Sequence, residues 1–166
     1  MMNNGKRTRF LKPGLLAMSA ACVMVVGMGA NSNIGGLEEI VLDLEFHHLG
    51  DNFFATWTVP SPEGTILELT FPLNQGQIQR AKTAHLELFL FNNHWANIIV
   101  NGRALTLPYT GETSSTLGLE IAGKTLLSIP PAFLQSGVNS IAFETTQHGS
   151  NFDDFEFGEV VLLLNR

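Results

Sequence analysis

After Ala30 the chain breaks its apolar residues into short alternating runs, each stopped by glycine, proline or asparagine. None has the length and 3.6-residue period of a long helix. Glu39 to Phe46 sets Ile40, Leu42, Leu44 and Phe46 against Glu39, Val41, Asp43 and Glu45, the pattern of a half-buried strand. Phe53 to Val59 reads as a strand stopped by Pro60, Pro62 and Gly64, with Trp57 on its inward side. Thr65 to Phe71 is another, which Pro72 is expected to end. Ala84 to Phe91 is the strongest run, and its second face is also largely apolar, so it belongs at the centre of a sheet or beneath a neighbouring loop.

The second half continues in the same way. Asn92-Asn93-His94-Trp95 reads as a polar turn before the Ile98–Val100 strand, which meets Asn101-Gly102. Ser115 to Ile121 and Lys124 to Ile129 form a hairpin or one bent strand around Gly123. Pro131–Gln135 is expected as one short helical turn, because proline suits the first helical position and Gly137 suits the exit. Ser140 to Thr145 and Glu156 to Leu164 complete the set. Roughly eight to ten short strands with Gly/Pro turns imply an all-β, antiparallel β-sandwich over residues 37–166.

The first thirty residues differ in kind. Lys6, Arg7, Arg9 and Lys12 precede an uncharged run from Pro13 to Ala30, and no acid occurs before Glu38. The run is expected to form one N-terminal hydrophobic helix, and two readings fit it. It is either a signal-anchor spanning the membrane through residues 13–30 or a signal peptide removed on export. In both the positive flank stays in the cytoplasm and the rest is extracytoplasmic, in the periplasm or at the cell surface. Residues 31–36 read as a polar spacer that holds the domain near the membrane. Cys22 is the only cysteine, which excludes an intrachain disulfide, and Ser19 stands where a lipoprotein signal needs an aliphatic residue.

From Asn31 onward the chain carries five basic and fifteen acidic residues, a net charge of −10. Such a domain repels phosphate backbones, so nucleic acid is excluded as a partner. No Gly-x-Ser-x-Gly, His-Glu-x-x-His or phosphate loop occurs, and the chain is read as no enzyme. His47 and His48 are adjacent, so on a strand they face opposite ways and cannot chelate one ion together.

A strand ending Val100-Asn101-Gly102, an Ile129-Pro130 turn and then Leu134-Gln135-Ser136-Gly137-Val138-Asn139-Ser140-Ile141 resemble the galactose-binding-domain-like jelly rolls of carbohydrate-binding modules and glycosidase accessory domains. The closing Asn151-Phe152-Asp153-Asp154-Phe155-Glu156-Phe157 is similar to the last-strand signature of some such modules. The resemblance implies a jelly roll in which Asn151 can face a sugar. It also implies a structural calcium held by Asp153 or Asp154 with Glu39 or Asp43 of the first strand. The chain departs from the sugar-binding pattern at Thr110-Gly111, which Glu112 follows in place of a stacking aromatic. Trp95 with Asn92, Asn93 and His94 offers an aromatic face with amides, suited to a sugar or a protein partner, and Tyr109 is a weaker site of the same kind.

Two functions follow as expectations. The first is a non-catalytic structural subunit tethered to the membrane and packed on partner proteins of an envelope assembly. The second is a secreted or surface carbohydrate-binding module with glycan as its partner.

Overall fold

The computed structural model describes residues 22–25, 32–34, 36–51, 61–91, 96–107, 124–148, 151–152 and 154–166, with the backbone alone at 22–25, 32–34, 148 and 151. The strands are β1 Cys22–Val25, β2 Ser32–Ile34, β3 Leu37–Leu49, β4 Ile66–Leu73, β5 Thr83–Phe91 and β6 Ala96–Val100. They continue as β7 Arg103–Ala104, β8 Lys124–Ile129, β9 Gly137–Thr145, β10 Gln147–His148, β11 Asn151–Phe152 and β12 Phe155–Asn165. One sheet runs β1-β4-β9-β6-β7 and the other β2-β3-β12-β5-β8, while β10 and β11 form a separate two-stranded hairpin. Every described pairing is antiparallel except that of β1 with β4.

The two sheets enclose one apolar core. Leu69, Ile98, Ile141 and Phe143 come from the first sheet, and Leu42, Leu86, Leu88, Phe157 and Leu162 from the second. Phe143 and Phe157 stack face to face across the gap, with centroids 3.9 Å apart and planes 9° from parallel. Burying each such ring or leucine contributes about 1.5–3 kcal/mol. The expected all-β sandwich is therefore present, with β5 central between β12 and β8 as its two apolar faces require. The short turn after Pro130 is a 3₁₀ helix, Pro131–Phe133, with proline at its start.

Four features differ from expectation. Cys22–Val25, placed in the hydrophobic helix by its composition, is a strand beside Leu67–Thr70 of β4. A free sheet edge offers unpaired N–H and C=O groups, and a segment holding two valines suits it. The remainder of the apolar run lies outside the described residues, and among those described no helix is long and apolar enough to cross a membrane. Ser32–Ile34, expected in the spacer, pairs with β3 as an edge strand. Pro72 does not end β4, because β1 pairs only with Leu67–Thr70 and the edge beside Pro72 needs no donor. A short helix, α1 Gln75–Arg80, was not expected at all. The expected strands at Phe53–Val59 and Ser115–Ile121 lie outside the described residues, as does Trp57.

The register of β12 slips against both neighbours between Gly158 and Val161. Glu159 sits there with φ +49°, a β-bulge that bends the strand. Beside it Gly158 lets Phe46 lie across β12 towards Phe89, ring centroids 5.7 Å apart. A Cβ at Gly158 would come within 2.6 Å of the Phe46 ring.

Candidate functional site

The pairings divide the sandwich into two ends. At one, β3 stops at Leu49 opposite Phe155, and β5 stops at Phe91 opposite Glu156. In the other sheet β4 starts at Ile66 opposite Glu144, and β6 starts at Ala96 opposite Thr145. The connections β3 to β4, β5 to β6, β7 to β8 and β9 to β12 thus all cross between the sheets at this end. The last of them carries the β10–β11 hairpin, in which Gln147 faces Phe152 and His148 faces Asn151.

Two histidines fasten these crossings. His48 is fully buried, and its Nε2 lies 3.0 Å from Asp154 Oδ1, which pins the chain between β11 and β12 to the end of β3. Glu156, also buried, is the cross-strand neighbour of His48. His47 faces the other way, as alternation requires, with its ring 5.2 Å from core Phe157. Its Nδ1 lies 2.8 Å from Glu63 Oε2 and its Nε2 3.3 Å from Asp43 Oδ2. Backbone bonds complete the fastening: Glu63 N–H donates to His48 O, and Gly50 N–H to Gly64 O, both at 2.8 Å. A buried carboxylate needs a partner that donates to it, and His48 supplies one to Asp154, whereas of the His47 partners Glu63 is exposed and Asp43 half-buried.

The opposite end carries the β6–β7 turn and further crossings, β4 to β5 through α1 and β8 to β9 through the Pro131–Phe133 turn. Asn139, buried, donates through Nδ2 to Gln135 O and Gly137 O, while its Oδ1 accepts from Gln135 N–H and Asn101 Nδ2. Gly137 leaves the turn with φ +100°, a conformation that favours glycine. Asn74 caps α1 in a reciprocal capping box with Gln77. Gln77 Nε2 then donates to Glu38 Oε1 at 2.8 Å, and Arg166 Nη2 meets Glu38 Oε2 at 2.7 Å. Burial pushes the Glu38 carboxyl up. The hydrogen bonds from Arg166 and Gln77, with the charges of Arg166 and Arg80, outweigh that and hold it below its ordinary value.

The candidate residues read from sequence fall unevenly on this frame. Asn92, Asn93, His94, Trp95, Tyr109 and Asp153 lie outside the described residues. Asn151 is described by its backbone alone, on β11. The strand ends that bracket residues 92–95, Phe91 and Ala96, both belong to the end with the crossing connections. The described members of the calcium set do not meet. Along β3 and β12, Asp154 lies about 17–20 Å from Asp43 and about 30 Å from Glu39, at the usual rise per residue. Asp43 and Asp154 each hold a histidine, and among the described residues no three metal-binding side chains gather.

Sequence reasoning missed one residue of this end. Phe152 sat in the closing signature as an apolar position, yet it is 40% exposed on the hairpin whose base the His48–Asp154 pair holds. The strand signal could not find it, because Asn151-Phe152 is too short for alternation to mark a face. No protein-family model matches the chain, and no curated protein matches it in sequence.

Proposed function

We propose that this protein is a non-catalytic, extracytoplasmic interaction subunit that docks on a partner protein through the end of the sandwich where these four connections cross. The observation that carries this reading is Phe152, an exposed aromatic on a hairpin whose base is fixed by a buried His–carboxylate pair. Recognition residues sit on loops positioned by a rigid scaffold, and aromatic anchors supply most of the energy at protein interfaces. The finer fold is a jelly roll of the galactose-binding type, supported by the Asn101 and Asn139 motifs that join the strands and turn in the expected order.

Residues 13–30 tether the subunit to the membrane in this reading. A strand at Cys22–Val25 and a bilayer-spanning helix through the same residues exclude one another, so insertion releases that segment from β4. The intact mass of protein isolated from its native membranes tests the tether. A value near 18.1 kDa supports it, and a loss of about thirty residues removes it in favour of a cleaved signal peptide. Phe152→Ala tests the docking: the subunit is expected to leave its assembly while its melting temperature holds.

A second reading, a carbohydrate-binding module, draws on the same exposed ring beside Asn151, since sugar C–H faces stack on aromatics. Retention of the protein on immobilised glycans, lost in Phe152→Ala or Trp95→Ala, favours that reading over the first.

A further inference from the structure

The turn between β6 and β7 is Asn101-Gly102, both with left-handed backbone, φ +47° and +76°. Asn-Gly is the dipeptide in which an asparagine side chain most readily cyclises, because glycine has no side chain to shield its nitrogen. Gly102 is exposed. The Asn101 carboxamide, however, is tied at both of its atoms. Nδ2 donates to Phe133 O at 2.8 Å and to Asn139 Oδ1 at 2.7 Å, and Oδ1 accepts from Ser140 N–H at 2.9 Å. Turning Cγ onto the Gly102 nitrogen requires that all three bonds break.

We propose that Asn101 is a deamidation site gated by the fold, inert while the turn end is closed and converted when it opens. In the open state the deprotonated Gly102 nitrogen attacks Asn101 Cγ. A ring C–N bond forms and the Cγ–Nδ2 bond breaks, with ammonia leaving after taking a proton from water. Water then opens the succinimide at either carbonyl, giving aspartate or isoaspartate. One water enters and one ammonia departs.

The product cannot rebuild the lock. A carboxylate oxygen replaces Nδ2 and faces two acceptors, Phe133 O and Asn139 Oδ1, with nothing to donate. Isoaspartate also lengthens the backbone between β6 and β7. Either product loosens the hold of Asn101 on the Pro131–Phe133 turn, behind which Leu134 is buried in the core. Loss of ammonia makes the conversion one-way, and its extent records the time this end has spent open.

The experiment incubates the full chain at mildly alkaline pH, folded and in urea. Peptide-level mass spectrometry follows Asn101 separately from the other Asn-Gly, Asn4-Gly5. Conversion at Asn101 is expected to be at least about tenfold slower in the folded protein, since three hydrogen bonds oppose it. The converted form, separated by charge, is expected to unfold at lower urea. Asn139→Ala removes one of the three bonds, and Arg103→Ala removes the contact of Arg103 Nη1 with Ala132 O on the same turn. Both are expected to speed conversion, and Arg103→Ala serves if the first does not fold. Equal rates in folded and unfolded protein overturn the proposal. So does a converted form with an unchanged urea midpoint, or rates unchanged in every variant that folds.

Discussion

The two ends of this sandwich are closed by different chemistry. At the turn end the fastenings are amides and backbone groups around Asn139, joined by the ion pair between Glu38 and Arg166. At the crossing end they are histidines set against carboxylates, His48 on Asp154 and His47 on Glu63 and Asp43. The turn end holds short connections in a fixed shape. The crossing end holds the connections β3–β4, β5–β6, β7–β8 and β9–β12 and leaves Phe152 exposed. The difference separates a turn end fixed by amides from a crossing end that presents an exposed aromatic ring, the candidate recognition surface.

Substitutions should keep their effects apart if the division is real. The largest loss is expected for His48→Ala, which removes a fully buried ring together with its hydrogen bond to Asp154 and costs about 3–5 kcal/mol. Urea unfolding measures the loss, and amide exchange is expected to rise at 151–156 but not at 131–139. Asn139→Ala follows at about 3 kcal/mol, because it strands a backbone N–H and two carbonyls. Its faster exchange is expected at 131–140, with the His48 region unchanged. Faster exchange at both ends in either variant would break the comparison.

Smaller effects sharpen it. Asn74→Ala removes the cap of α1 and is expected to cost about 1 kcal/mol, seen as a lower melting temperature. The smallest effect is acid titration of the Glu38–Arg166 pair. The Glu38 carboxyl is held below its ordinary value in the folded chain. Its contribution is therefore present above the unfolded value and is lost as pH falls through the folded one. Glu38→Gln is expected to flatten that part of the stability–pH curve. A curve unchanged by the substitution removes Glu38 from the account.

Much of the turn end was legible in the residues, because its signals are local. Asn101-Gly102 marked the β6–β7 turn, and Pro131 with Gly137 marked the 3₁₀ turn and its exit. Alternation within β3, β4 and β5 placed those core strands, and apolar runs placed β9 and β12. The capping box of α1 was equally local, as Asn74-x-x-Gln77, but six residues are too few for a helical period to show. The crossing end was less legible because its partners are distant in sequence. His48 and Asp154 lie 106 residues apart, and His47 and Glu63 lie 16 apart. Alternation correctly put the two histidines on opposite faces, yet only the pairing of β3 with β12 brings Asp154 to one of them. The same register carries Glu39 and Asp43 away from Asp154, a separation that the composition of the two strands does not reveal.

The most direct test of the docking claim is site-specific photo-crosslinking in the native assembly. A photoreactive side chain is placed at Phe152 on the crossing end or at Val138, the exposed apolar residue beside the opposite turn. The account predicts a crosslinked partner protein from position 152 and none from position 138. Crosslinks from 138 with none from 152 would contradict it and move the interface to the other end of the sandwich.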